Sequence, residues 1–343
     1  MSAGRPGIAA VHPLWAVEGG VVTIAGAGFP IDPLPDVTIG GIPARLTRAS
    51  SDALAAVVPG GLEGGRTPIR VHGATGETAF VEIGAPLATG LHQVDNPAFD
   101  EAGNLYVTFS GSRGQESPVS VFVVRRDGSR EPFLSGLPNP TSIAFGPDGH
   151  LYVSSRFDGS VHRIGQDGAA TPFATDLGVA CGIAFGPDGS LYVGDRSGSV
   201  LRVSGKEVSL FATLPGSVAA FHLAFGPDDA LYVTAPTLSS HDPVYRIEAS
   251  GAVEVFYEGL GRPQGLAFDS EGRLYVVDAL AGASGLYRFS VDRGAVPEPV
   301  IVGGSLIGLA FDPRGGLVLA SSDTVYRLEV PVRGLLSTRV KTS

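Results

Sequence analysis

The chain has 343 residues and a net charge of −10, length enough for about two domains. Hydrophobic residues make up 43% and charged residues 17%, which excludes a disordered chain, and the 49 glycines and 26 prolines read as many tight turns between short strands. The basic residues are not clustered, no apolar run reaches the roughly 18 residues of a membrane helix, and Cys181 is the only cysteine. A nucleic-acid partner, a helical membrane span and an intrachain disulfide are therefore not expected.

The N-terminal sequence MSAGRPGIAAVHPLW lacks the apolar stretch of a secretory leader. The expectation is a cytoplasmic protein; an exported protein with its leader trimmed would read the same way. Residues 7–29, 36–65 and 68–83 then carry short alternating strands separated by GG and PG turns, the pattern of a small β-sandwich. This part resembles the IPT/TIG immunoglobulin-like family, on three features: the P-x-x-A-x-x-GG-x-V-T-I-x-G-x-GF stretch, the VTIGG strand and the VP-x-G segment at 58–61. The resemblance implies a spacer or interaction module over residues 1–84. Trp15, the only tryptophan, falls in a loop-like stretch and reads as a core or inter-domain packing residue, with a partner contact as the alternative.

From residue 96 onward one unit recurs, with the core G-[IL]-A-F-x-P-x-G-x-L-Y-V. Its phenylalanines are Phe99, Phe145, Phe185, Phe225, Phe268 and Phe311, spaced by 46, 40, 40, 43 and 43 residues. Periods of that length mark solenoids or propellers. LAF and LYV are strand formers joined by a PDG hairpin; strands such as VLRV and VYRI follow, then an outer strand such as EPFLSGL or TPFATDL. Four antiparallel strands per repeat make a propeller blade. The predicted fold is thus all-β: an immunoglobulin-like sandwich over 1–84, then a six-bladed β-propeller over 85–343. Residues 86–91 match the outer-strand pattern and are expected to close the ring on the last blade, hiding its edge. The recurring Arg163, Arg202, Arg246, Arg288 and Arg327 read as structural contacts between blades, and Asp148 and Asp188 as turn formers.

Propellers bind ligands at one mouth of the central channel, where inner strands begin. The residues expected there are Asp95, Asn96, Thr141, Ser142, Cys181, Phe221, His222, Gln264 and Ile307. The loops after the second strands add Arg113, Arg156, Asp158, Asp195, Arg196, His241, Asp242 and Asp278. No G-x-S-x-G elbow, H-E-x-x-H or phosphate-binding loop occurs. A Cys181 nucleophile with His222 as base is one catalytic reading, against the usual inert role of a buried lone cysteine.

The repeats resemble the NHL and regucalcin (senescence marker protein)/gluconolactonase group of six-bladed propellers, whose enzymes hold a divalent metal at this mouth. Carried over position by position, the metal-ligand places of that group fall on Asp95, Cys181, Phe221 and Gln264. One carboxylate, a thiol, a phenyl ring and an amide make a poor hard-cation site, so Asp95 is the sole metal candidate, and strand alternation predicts that His222 points elsewhere. The reading is a non-catalytic binding protein with no cofactor, taking a small molecule, a carbohydrate or a protein at the mouth. The alternative is a hydrolase or lyase with a divergent metal site.

Overall fold

The computed structural model describes residues 6–335, apart from 76–77, 113, 115–116, 281, 291–293 and 295. All regular structure among the described residues is β. The N-terminal part is a two-sheet sandwich. One sheet orders the strands Gly7–His12, Val21–Ala27, Ala53–Val57 and Leu46–Ala49. The other contains Trp15–Ala16, Ala79–Ile83, Gly65–Val71, Val37–Ile39 and Ile42–Pro43. Alternation places Val22, Ile24, Ile39, Leu54, Ile69 and Val81 between the sheets, all essentially without solvent exposure.

The remainder forms four-stranded antiparallel sheets, and each repeat supplies one. In the second, Pro140–Phe145, Leu151–Ser155, Ser160–Ile164 and Ala170–Ala174 follow one another outward. Six such units occur among the described residues. Inner strands of successive units touch, and the strand Ala98–Phe99 of the first also touches Leu306–Phe311 of the sixth, so the array is a closed β-propeller. The outer strand of the sixth unit comes from the other end of this region: Ala85–Ala88 pairs antiparallel with Val325–Leu328, and the Leu91 N–H reaches the Asp323 carbonyl at 2.9 Å.

The repeated residues have a common physical cause. The tyrosine of each LYV strand meets the inner-strand phenylalanine of the next unit edge-on: Tyr152 on Phe185 at 4.8 Å, Tyr192 on Phe225 at 5.0 Å, Tyr232 on Phe268 at 4.9 Å. The hairpin aspartates are turn formers with a second task. Asp148 accepts from Arg163 Nε at 2.7 Å and from the Tyr152 hydroxyl at 3.2 Å. Asp188 pairs with Arg202 at 2.6 Å and Asp228 with Arg246 at 2.8 Å. The recurring arginines therefore act within their own unit, not between units as expected. The third strand lies beside the hairpin that the first two make, and an arginine there reaches the turn carboxylate without crossing to a neighbour. Where the fourth unit reads PDD instead of PDG, Asp229 adopts φ +60°, the left-handed conformation glycine provides at the other turns.

The sandwich and the propeller are joined by β-pairing. Trp15–Ala16 runs parallel to both Ala79–Ile83 and the outer strand Glu298–Val302 of the fifth unit, making one continuous nine-stranded sheet. Trp15 and the fully buried Val17 pack on the propeller core around Leu286, Ile301 and Leu306, which makes Trp15 a joint residue on a short strand.

Candidate functional site at the propeller mouth

At the end of the propeller where inner strands begin, a cavity of about 440 Å³ opens among the six units. Its charged lining is Arg156, Arg196 and Arg262. Arg156 and Arg196 come directly after the second strands of the second and third units, and Arg262 directly before the inner strand Pro263–Phe268. Val94, Val218, Ala219, Ala220, Ala279, Leu306 and Ile307 make the apolar wall, and Cys181, Gln264, Ser305 and Ser322 complete it.

A buried polar chain crosses the channel axis at this end. His222 Nδ1 lies 2.5 Å from Asp95 Oδ1, and His222 Nε2 lies 3.1 Å from Gln264 Oε1. Asp95 Oδ1 also accepts the Asn96 N–H at 2.7 Å. All three side chains are buried. This reverses the expectation for the pair Phe221 and His222. The inner strand of the fourth unit starts at His222, and Phe221, just ahead of it, turns into the core against Cys181 and Leu223. Gly194 makes the room: a Cβ there would stand 2.6 Å from the Phe221 Cβ. With Phe221 outside the strand, the alternation phase turns His222 toward the axis.

The other predicted residues divide into those that build the mouth and those that lie away from it. Asn96 is a clamp: its Nδ2 donates to the Leu266 carbonyl at 3.0 Å and its Oδ1 accepts the Leu309 N–H at 3.0 Å. Glycine at 265 is required by this contact, because a Cβ there would sit 2.1 Å from Asn96 Oδ1. Thr141 is fully buried and donates to the Asn139 carbonyl, while Ser142 Oγ accepts the Ile183 N–H. Asp195 accepts the Val179 N–H at 2.7 Å and the Ser197 hydroxyl. Asp278 accepts the N–H groups of Gly261, Arg262 and Leu280. These two carboxylates fold their loops. Asp158, Asp242 and His241 lie outside the cavity lining, with Asp158 held by Ser160 and Asp242 by Thr237. Arg113 lies outside the described residues.

Neither catalytic set assembles. Burial pushes the Cys181 thiol up to about 12, against the opposing charges of Arg196 and Arg156, and His222 gives both ring nitrogens to Asp95 and Gln264. The Cys181–His222 dyad is therefore not formed. Among the described residues, no group of three or more His, Cys, Asp or Glu side chains is placed to hold a metal ion. Asp95, the metal candidate, faces an imidazole, and the phenyl ring of Phe221 is in the core, so the donor set does not fit a hard divalent cation.

Sequence reasoning missed Arg262 and Asn139. Arg262 lies three residues before the G-L-A-F motif, two steps outside the positions expected to face the mouth; the Arg-Pro pair opening that strand was the available signal. Asn139, at φ +44°, donates to the Ser110 and Ser112 carbonyls and accepts the Gly114 N–H, holding the loop of the first unit against the second.

Residues 6–82 match the IPT/TIG domain, and residues 182–203 match the strictosidine synthase-like N-terminal family. No curated protein matches the sequence. Among solved structures, the chain is similar to a gluconolactonase from Xanthomonas campestris, at 19% identity and TM-score 0.57 over 72% of this chain and 89% of that one. It is similar to virginiamycin B lyase from Staphylococcus aureus, at 15% identity and TM-score 0.54 over 95% of each chain. An auxiliary nutrient binding protein from Bacteroides ovatus aligns at 13% identity and TM-score 0.54 over 94% of this chain and 98% of that one. At these identities the likeness is one of fold.

Proposed function

We propose that the protein is a non-catalytic binding protein that presents the propeller mouth to a small ligand or partner, with the IPT/TIG sandwich as a spacer or second contact. The observation that carries this reading is the engagement of His222. It is the one imidazole on the axis, and both its nitrogens are bound to neighbouring side chains. A general base needs a free nitrogen within reach of substrate. The carboxylates of Asp195 and Asp278 are likewise bound to backbone N–H groups and a hydroxyl instead of facing the cavity. The fold itself is compatible with both roles, since the similar structures include a nutrient-binding protein as well as a gluconolactonase and a lyase. Among the described residues, no helix is long and apolar enough to cross a membrane.

The test pairs an activity assay with a stability screen on the purified chain. Lactone hydrolysis is measured with Ca²⁺, Mg²⁺, Mn²⁺ and Zn²⁺ in turn, and Tm is followed against the same ions and against small-molecule ligands. The expected result is no metal-dependent turnover, with a ligand that raises Tm by binding the folded state. Metal-dependent hydrolysis abolished by Asp95→Ala would overturn the reading in favour of the enzyme.

A further inference from the structure

The charge at the mouth is opposite in sign to that of the whole chain. The protein carries a net charge of −10, yet the charged side chains lining the cavity are Arg156, Arg196 and Arg262, with no Asp or Glu among them. The nearby carboxylates face inward: Asp95 to His222, Asp195 to the 179 and 197 positions, Asp278 to the N–H groups of Gly261, Arg262 and Leu280. Arg262 has no ion pair among the described residues. Arg196 donates from Nη2 to the Val218 carbonyl at 2.7 Å, but its Nε is buried with no hydrogen-bond partner. A buried N–H without an acceptor is unfavourable, so this guanidinium is not saturated by the protein's own oxygens.

The rest of the cavity limits what that ligand can be. Val94, Val218, Ala220, Leu306 and Ile307 give an apolar wall. Gln264, the amide of the lining, has its carbonyl oxygen on His222. A neutral sugar offers no negative charge to three guanidinium groups, so the cationic lining favours an anion. Guanidinium groups match the planar, two-oxygen geometry of carboxylate, and a volume of about 440 Å³ takes a small organic molecule.

We infer that the mouth binds a small organic carboxylate, its head group held by Arg156, Arg196 and Arg262 and its apolar body along the Val94–Leu306–Ile307 wall. The inference rests on the reading of the mouth as the ligand platform, and it narrows the ligand class within that reading.

The experiment is calorimetric titration of the full chain with straight-chain carboxylates from butyrate to decanoate, with benzoate and phenylacetate, each paired with its primary amide. At least one carboxylate is expected to bind, with its amide weaker by about tenfold or more, and with affinity falling as salt is raised. Arg262→Gln, at an exposed position, is expected to weaken binding by about tenfold at unchanged Tm. Arg163→Gln, on the hairpin end of its unit, leaves binding as it was. An amide that binds as tightly as its acid overturns the inference, and so does a panel in which no carboxylate binds. Inorganic phosphate binding as tightly as the best carboxylate overturns the role of the apolar wall. A neutral sugar that binds when no carboxylate does overturns the anion site and leaves the platform standing; metal-dependent lactone hydrolysis overturns the platform itself.

Discussion

His222 and Asp95 are 127 residues apart in sequence and 2.5 Å apart in space, one at the head of the fourth unit and the other just ahead of the first, on opposite sides of the ring. Their contact ties the propeller across its axis. Truncating one member of a buried hydrogen-bonded pair leaves the other's polar atoms without a partner, at about 1–3 kcal/mol. Asp95→Ala is therefore expected to lower the urea midpoint sharply, and Asp95→Asn less, because the amide keeps a hydrogen-bonding oxygen. An unchanged midpoint for Asp95→Ala would show that the axial tie contributes nothing.

Cys181 is expected to be chemically silent in the folded protein. Its thiol is pushed up to about 12, chiefly by burial. At pH 8 about one thiol in ten thousand is then ionised, and the thiolate is the reactive form. Iodoacetamide should label the native protein far more slowly than the urea-unfolded chain at the same pH, with native labelling rising only in strongly alkaline buffer. Equal rates in the two states would contradict the burial.

The repeat made the architecture readable from sequence because one physical unit was written many times. The spacing of Phe145, Phe185, Phe225 and Phe268 is the spacing of the tyrosine–phenylalanine contacts between neighbouring units. The mouth was less readable, because there the repeats differ. The turn of His222 toward the axis depends on where one strand begins and on the missing side chain at Gly194. The inward role of Asp195 and Asp278 depends on N–H groups 16 and 17 residues away. Neither distance nor strand start is written in the local pattern. The nine-stranded sheet was equally invisible, since it joins Trp15–Ala16 to a strand nearly three hundred residues later.

The arginine–aspartate pairs should differ in worth according to their burial. Arg246 is 11% exposed and meets Asp228, Glu248 and Glu254, whereas Arg163 is 37% exposed and pairs with Asp148. Arg163→Ala is expected to cost under about 1 kcal/mol, and Arg246→Ala more, about 1–2 kcal/mol, because it removes three ion pairs together with a largely buried side-chain stem. The pairs also carry a pH dependence. Burial alone would raise the Asp148 carboxyl, but hydrogen bonds from Arg163, the His150 N–H and Tyr152 outweigh it, and Asp148 lies below its ordinary value of 3.8, as does Asp188. A depressed carboxyl adds stability above the unfolded-state pKa and loses it as pH falls through the folded one. The wild-type midpoint should thus drop below about pH 4 more steeply than that of a double variant Asp148→Asn/Asp188→Asn. Parallel acid profiles would contradict the assignment.

The joint between sandwich and propeller is expected to make the chain unfold as one unit. Val17 donates its N–H to the Val302 carbonyl at 2.8 Å and is fully buried. Its side chain fills a cradle where Gly84 and Gly303 lack side chains; a Cβ at either would come within 2.7 Å of it. Val17→Ala removes two methyl groups from that cradle, at about 2 kcal/mol. Val17→Asp buries a charge there, which separates the two parts instead of merely loosening them. Trp15, the only tryptophan, reports on the joint by fluorescence, and the nine tyrosines, all of them in the propeller, report on the ring by near-ultraviolet circular dichroism. In the wild type the two signals should melt together. In Val17→Asp the Trp15 signal should melt first, with the propeller following at higher temperature. Coincident melting in that variant would mean that the parallel strand pairing alone holds the joint, with the Val17 side chain contributing nothing.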